Sequence, residues 1–345
     1  MAVVRMADDG ISFDGDTLSR GPLGGAETAF VSLAEALAAR GHDVIIHNRC
    51  GAAMTRNGVA WQPLEEGLPD SADLYIANRG DRLIPLVRDA RARIFWIHNP
   101  AQFLNKWRYW WKLARWRPTV VFSSGFHAAS ISSWMPTGGK VTIPYGISAD
   151  FLNADPPRDP PPPHVAFTSS PLRSLDWLLD LWEAQIRPQV PTAELHIFSS
   201  PITYGSHGDA RADAMNAVLD RAGSMAAQGV RLREPLPKAG LADALTGFRA
   251  ILYRGDPGET YCLAIGEAQA VGIPAVVQDI GCVAERVIDG QTGFVARDDS
   301  DFARRGRDIL TDDELWRRLQ GNALDRQRRW SWDDAAAAFE EMLPA

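Results

Sequence analysis

GGAETAFVSLAEALAARGHDVIIHN, residues 24–48, has the periodicity of a helix followed at once by that of a strand. Phe30, Leu33, Ala34 and Leu37 recur at helical spacing, and Gly41 stands where a helix C′ residue turns left-handed. DVIIHN (43–48) is a short β-rich run, and a strand-like AVVRMA (2–7) precedes the loop that ends in Gly24 and Gly25. Paired glycines at a helix start let a backbone approach a ligand, and helix N-terminal amides attract phosphate. The same pair equally suits an ordinary loop–helix junction. The spacing is not G-x-G-x-x-G, so no dinucleotide site is indicated.

The alternation continues along the chain. DLYIAN, RIFWIHN, TVVFSS and VTIPY read as strands between helical segments. PPRDPPPP (156–163) reads as a stiff non-helical linker. After it, HVAFTSS, ELHIFSS, AILYR, PAVVQD and GFVAR are strands, with helices at LDWLLDLWEAQI and EAQAVG. Such βαβ alternation implies α/β halves with mostly parallel, doubly wound sheets. The expected division is an N-terminal Rossmann-like domain at 1–150, a second at 151–328 and a C-terminal helix at 329–345. In that helix Ser331 caps a first turn containing Asp333 and Asp334.

The length of 345 residues suits two domains, and no apolar run reaches the roughly 20 residues needed to span a bilayer. The N-terminus lacks a signal-peptide pattern, and three scattered cysteines fit a reducing compartment, so a cytoplasmic location is expected. A net charge of −7 argues against nucleic acid as partner.

Two carboxylates carry the chemistry. In GDPGETYCLAIGEAQAVGIPAVV (255–277), Glu259 ends a loop after a strand and Glu267 lies eight residues on, within a helix. Both can face the crevice at the carboxyl ends of parallel strands, where open α/β sheets bind ligands. Carboxylates accept from vicinal hydroxyls, and the amides at Thr260, Tyr261, Cys262 and Leu263 would suit a diphosphate. Spacing alone also allows two surface acids. No His or Asp cluster has metal-ligand spacing, so neither a metal nor a cofactor is expected.

Several of these blocks together resemble the retaining GT-B glycosyltransferases of family 4, the group 1 family. They are the Gly-rich loop and helix at 24–47, VTIPYGI (141–147), the E-x7-E block at 259–267, GCVAERVIDGQTGFV (281–295) and WSWDDAAAAF (330–339). The resemblance implies two Rossmann-like domains facing a cleft, with the last helix crossing back to the first domain. It implies a nucleoside diphosphate sugar as donor and a hydroxyl acceptor, with bacterial glycan or glycolipid assembly as the setting. It places Glu259 at the donor-sugar hydroxyls and Glu267 at the ribose hydroxyls, with Thr260, Tyr261, Cys262 and Leu263 along sugar and diphosphate. Gly24 and Gly25 fall in its Gly-rich loop. His98 matches a family histidine near the donor sugar. Where the family shows G-R-L-x-x-x-K-G, this chain has SSPLRSL (169–175). Arg173 stands in for the family's lysine on the diphosphate, while Ser170 cannot replace the lost arginine. A sugar-nucleotide epimerase of the same fold, or a non-catalytic relative that binds sugar nucleotides, are the rival readings.

Residues 90–149 contain no Asp or Glu, eight Lys or Arg, and six of the twelve Trp. On a helical wheel over 102–117, Phe103, Leu104, Trp107, Trp110, Trp111 and Ala114 share one face, flanked by Arg108, Lys112 and Arg115. Two expectations follow. The aromatic face packs inward with a basic rim, or Trp107, Arg108, Trp111, Lys112 and Arg115 meet a lipid-linked acceptor or an anionic membrane at its inner face.

Overall fold

A computed structural model describes residues 1–204 and 208–344. It divides into two compact units: Met1–Leu18 with Leu23–Gly146 and Trp330–Ala345, and Ile147–Arg329 with Ser19–Pro22. No described helix is long and apolar enough to cross a membrane.

The first unit is built on eight strands: β1 (Val3–Asp8), β2 (Asp43–Asn48), β3 (Met54–Arg56), β4 (Val59–Pro63), β5 (Ser71–Asn78), β6 (Asp89–Trp96), β7 (Thr119–Phe122) and β8 (Gly139–Thr142). Their order is β3-β4-β2-β1-β5-β6-β7-β8, and all pairs are parallel except β3 with β4. The chain leaves β1 toward β2 on one side and returns to β5 on the other, so the topological switch point lies between β1 and β5.

The helix Gly25–Ala39 buries Phe30, Val31, Leu33, Ala34 and Leu37 and ends as its sequence requires. Gly41 takes φ 89°, and the amides of Gly41 and His42 return to the carbonyls of Ala38 and Leu37, closing a Schellman motif. The last helix, Trp332–Glu340, belongs to this unit. Ser331 and Asp334 form its capping box. Arg40 Nε and His42 Nε2 meet Glu340 Oε1 at 2.7 and 2.6 Å. The Arg40 bonds chiefly, with His42 behind them, hold the Glu340 carboxyl down at about 2. A Cβ on Gly146 would lie 2.3 Å from Trp332 N, so the returning segment needs glycine there.

The second unit carries β9 (His164–Phe167), β10 (Glu194–Phe198), β11 (Val230–Arg233), β12 (Ala250–Leu252), β13 (Ala275–Gln278) and β14 (Gly293–Ala296). The order β11-β10-β9-β12-β13-β14, parallel throughout, is the doubly wound Rossmann order, with its switch point between β9 and β12.

Two features differ from the sequence reading. The proline run is not the junction between the units, which falls at Gly146/Ile147. It lies along the second unit, where Gln320 Nε2 donates to Pro157 O at 2.6 Å and Arg317 reaches Asp159. Proline fixes φ without committing a segment to solvent, so stiffness could be read and position could not. The segment 102–117 is not one helix either. Ala101–Asn105 is a 3₁₀ turn and the α-helix begins at Trp107. Phe103 and Leu104 pack on the core from the 3₁₀ turn and so do not share a face with Trp107 and Trp111: in the helix Tyr109 and Leu113 are buried, while Trp107 and Trp111 face solvent, 70% and 42% exposed.

Candidate active site

Arg173 follows β9 and Glu259 follows β12, so the loops at the second switch point bring them together across 86 residues. Glu259 is buried, and its Oε2 accepts from Arg173 Nη1 and, at 2.8 Å, from the Tyr253 hydroxyl. Burial opposes the charge on Arg173, but Glu259 above all outweighs it and holds the guanidinium pKa above its ordinary value. Burial, and then Glu259, pushes the Tyr253 phenol up, so it remains a donor. Ser174 adopts φ 62° and donates its hydroxyl to Gly255 O at 2.9 Å, tying the two loops to each other. Ser170 O accepts the Arg173 amide at 2.9 Å, which makes Ser170 part of the turn that aims the arginine.

Gly281 closes the loop from behind. It holds φ 67°, and a Cβ there would lie 2.3 Å from Asp256 O and 3.2 Å from Glu259 Cβ. The Cys282 amide donates to Glu259 O at 3.2 Å.

Thr260, Tyr261 and Cys262 are buried and lead into the helix Leu263–Ala270. Cys262, at its N-cap, has φ 62° and ψ 74°. A left-handed residue at that point turns the chain sharply before the first helical amides, which have no partner inside the helix. Burial, with Glu259 nearby, pushes the Cys262 thiol up, so it is a packing group rather than a nucleophile. Tyr261 is turned aside: its hydroxyl accepts from Arg286 Nη1 at 2.8 Å, and that guanidinium also lies over its ring. Arg286 passes so close to the helix that a Cβ on Gly266 would lie 2.2 Å from its Nη2.

Glu267 is buried on the same helix and accepts from Lys238 Nζ at 2.6 Å. Lys238 begins the helix Lys238–Leu245 and sits 5.7 Å from the Phe151 ring centre. Arg173, Glu259, Thr260, Tyr261, Cys262, Leu263 and Glu267 are therefore all in the second unit, around one switch point. Lys238, Tyr253 and Ser174 join them, without any motif spacing that sequence reading could use.

The first unit has its own polar centre at its switch point. Asp8 ends β1 and Asn78 ends β5. Asp8 is fully buried and accepts from Asn78 Nδ2 at 2.5 Å and Arg79 Nη2 at 3.0 Å. Arg79 also reaches Glu27, in the first turn after Gly24 and Gly25, at 2.8 Å. Because the Asn78 amide nitrogen faces Asp8, its Oδ1 must accept from His98 Nε2, 2.5 Å away. His98 Nδ1 then accepts from the Tyr145 hydroxyl. Burial, followed by the positive charge of Arg79, holds the His98 pKa well below the usual value, so the ring is neutral. Both ring nitrogens thus have partners within the first unit.

Of the basic aromatic residues, Trp107, Arg108, Trp111 and Arg115 are exposed on the helix Trp107–Trp116. Lys112 is not among them. It turns inward to Asp81 and its side chain is only 12% exposed.

Among the described residues, His164, Glu194 and His196 bring potential ligand atoms within 4.8 Å of one another, a convergence of β9 and β10 that linear spacing did not show. Arg231 donates to Glu194 Oε1 at 2.8 Å and Arg233 to His196 Nδ1 at 3.2 Å. Two guanidinium groups beside the cluster make it an ion-pair network that disfavours a further cation.

The family model described as "Glycosyl transferases group 1" matches residues 163–312, the greater part of the second unit. D-inositol 3-phosphate glycosyltransferase of Streptomyces avermitilis is 32% identical over 151 residues, which is 42% of this chain. The chain covers 32% of that relative's length. Over the whole chain, the fold is similar to sucrose-phosphate synthase from Thermosynechococcus elongatus, with a TM-score of 0.75 at 16% identity, covering 98% and 97% of the two chains. It is similar also to Anabaena HepE in complex with UDP-glucose, with a TM-score of 0.72 at 13% identity and 99% coverage of each. Two Rossmann-like sheets, parallel except for the β3–β4 pair, match these GT-B neighbours in fold.

Proposed function

We propose that the protein transfers a sugar from a nucleoside diphosphate sugar to a hydroxyl acceptor, with retention of anomeric configuration and without a metal. The observation that carries this reading is the Glu259 carboxylate, fixed by Arg173 and Tyr253 at the switch point, with Glu267 one helix further on. Both Glu259 bonds use Oε2, which leaves Oε1 for a donor-sugar hydroxyl. Glu267 takes the ribose hydroxyls, and the first-turn amides of the helix Leu263–Ala270 meet the diphosphate. The group 1 match over this same unit supports that assignment.

In the reaction, the bond from the anomeric carbon to the diphosphate breaks as the acceptor oxygen bonds to that carbon on the same face. The acceptor proton passes to the departing diphosphate oxygen. Arg173 and the helix amides stabilise the charge that grows on the diphosphate, by preorganised electrostatics. No cysteine serves as nucleophile. The first unit takes the acceptor, with Asp8, Asn78 and His98 as its polar centre. The setting is bacterial glycan or glycolipid assembly on the cytoplasmic side of the membrane.

Because HepE is seen with UDP-glucose, uracil is the first base to test. A thermal-shift panel of nucleoside diphosphates and their sugars should give a rise with one base, since a ligand that binds only the folded state stabilises it. NMR of the product, formed with a chelator present, should show the donor's anomeric configuration. No rise with any nucleotide would overturn the donor site. Interconversion of sugar nucleotides without acceptor would make the protein an epimerase, and a thermal rise with no turnover of any kind would make it a binder.

A further inference from the structure

The helix Trp107–Trp116 adjoins the loop between the short helix Gly125–Ala129 and β8. Ser132 Oγ donates to Asn105 Oδ1 at 3.2 Å, Lys140 Nζ to Ser132 O at 3.3 Å and Arg117 Nη2 to Thr137 O at 2.9 Å. The first bond ties the loop carrying Trp134 to Asn105, just before the helix, and the last ties it to Arg117, just after it. Trp107 is 70% exposed and Trp134 60%. Trp111, one turn on from Trp107, is exposed as well. Two exposed tryptophans on one helix face, with a third on the loop bonded to both ends of that helix, are an apolar feature that a water-facing surface ordinarily avoids.

The charge around them has one sign. Lys106, Arg108, Arg115, Arg117 and Lys140 are exposed. The nearby acid, Asp81, is bonded to Lys112 and has Arg108 Nε at 3.6 Å, so its one charge is met by two cations and the face stays net positive. This cationic face belongs to a chain of net charge −7, so it is a local feature and not overall basicity.

We infer that this face docks on an anionic lipid bilayer, with Trp107, Trp111 and Trp134 at headgroup depth and Arg108 and Arg115 beside them on lipid phosphates. The geometry fits a plane. Trp107 and Trp111 stand one helical turn apart on the same side, while Tyr109 and Leu113 anchor the opposite side in the core. Indole rings favour the interface between hydrocarbon and water, and cationic side chains near an anionic leaflet add to the binding. The inference is independent of the donor reading, since it concerns a different unit and different residues.

Vesicle co-sedimentation tests it, comparing pure phosphatidylcholine with a phosphatidylcholine–phosphatidylglycerol mixture at low and high salt. Binding should require the anionic lipid and weaken as salt screens it. Arg108→Glu/Arg115→Glu should cut the partition at least twentyfold, about fivefold for each charge even before reversal. Trp107→Ser/Trp111→Ser should also lose binding, and brominated lipid should quench wild-type tryptophan emission. Both variants alter exposed side chains, so unchanged melting and an unchanged circular dichroism spectrum would confirm an intact first unit. Absence of binding to anionic vesicles by the folded wild type would overturn the inference. So would binding that both double variants retain, or a preference for a single-stranded oligonucleotide that displaces the vesicles.

Discussion

Arg173 and Tyr253 donate to the same oxygen of Glu259, Oε2, so the arginine expected on the diphosphate is bonded to the carboxylate expected on the sugar. The two roles are coupled. A diphosphate that recruits Arg173 must draw it from Glu259 or share it, and the released carboxylate then has only Tyr253 to orient it.

Glu259→Gln should therefore separate binding from transfer. With the ion pair gone, Arg173 is free for phosphate, and calorimetry should show a bare nucleoside diphosphate bound as tightly as by wild type or several-fold more tightly. Transfer from the intact donor should fall at least a hundredfold. A loss of diphosphate affinity in this variant would place Glu259 on the nucleotide itself.

Lys238 and Glu267 predict a graded pair. Glu267→Gln removes a charged acceptor worth about 1.5–3 kcal/mol, so nucleoside diphosphate affinity should drop by one to two orders of magnitude. Lys238→Met keeps the side-chain stem but leaves Glu267 without its cation. Its KM for the donor should rise several-fold while kcat changes little. Equal losses of kcat in both variants would contradict a ribose role.

Two buried histidines of the first unit set its acid sensitivity. Burial first, and the positive charge of Arg5 second, lowers His47 to about 4, and burial lowers His127 to about 4. His127 Nδ1 accepts the Ser123 amide at 3.2 Å, which a second ring proton would forbid. Unfolded histidine titrates near 6.5, so below that pH the unfolded chain takes up protons that the folded chain refuses. Stability is kept above about 6.5 and lost as pH falls toward 4, by roughly 1–2 kcal/mol per histidine at pH 5. Urea midpoints at pH 7.5 and 5.0 measure this. A first unit equally stable at both would mean that the rings protonate without unfolding.

Cys262 offers a test of backbone strain. At φ 62° a Cβ is disfavoured, whereas glycine is at ease there. Cys262→Ala and Cys262→Gly both discard the sulfur, so their difference isolates the backbone. The glycine variant should be the more stable by about 1 kcal/mol, with the unfolded-state entropy of glycine already set against the relief. The opposite order would show that the helix start relaxes to another conformation.

Much of this was legible in the chain. Short apolar, β-rich runs marked eleven of the fourteen strands among the described residues, because buried parallel strands are short apolar runs bounded by turn residues. β3, β4 and β11 escaped: MTR and VRLR are polar edge strands, and VAWQP ends in proline. The residues Glu259 and Glu267 stood out by type and spacing. Their partners did not, since Arg173 lies 86 residues from Glu259 and Lys238 lies 29 from Glu267, and only strand order brings them close. Of the two readings offered for 102–117, the one with an inward aromatic face rested on counting the 3₁₀ turn as α-helix, which put Phe103 and Leu104 on one face with Trp107 and Trp111, whereas of these four only Phe103 and Leu104 turn to the core. Asp8, Asn78 and Arg79 gave no signal at all, being single polar residues at strand ends.

The capping box at Ser331 and the Arg40–Glu340 pair bear on the order in which the protein can mature on a ribosome. The first unit is left without its closing helix until the whole second unit, Ile147–Arg329, has been made. Up to then the face of the helix Gly25–Ala39 that receives Trp332–Glu340 is bare, and Arg40 and His42 wait for a carboxylate still to be synthesised. The second unit, by contrast, draws its sheet from one uninterrupted stretch, His164–Ala296, and can settle first. The half that begins the chain is thus the last to be completed.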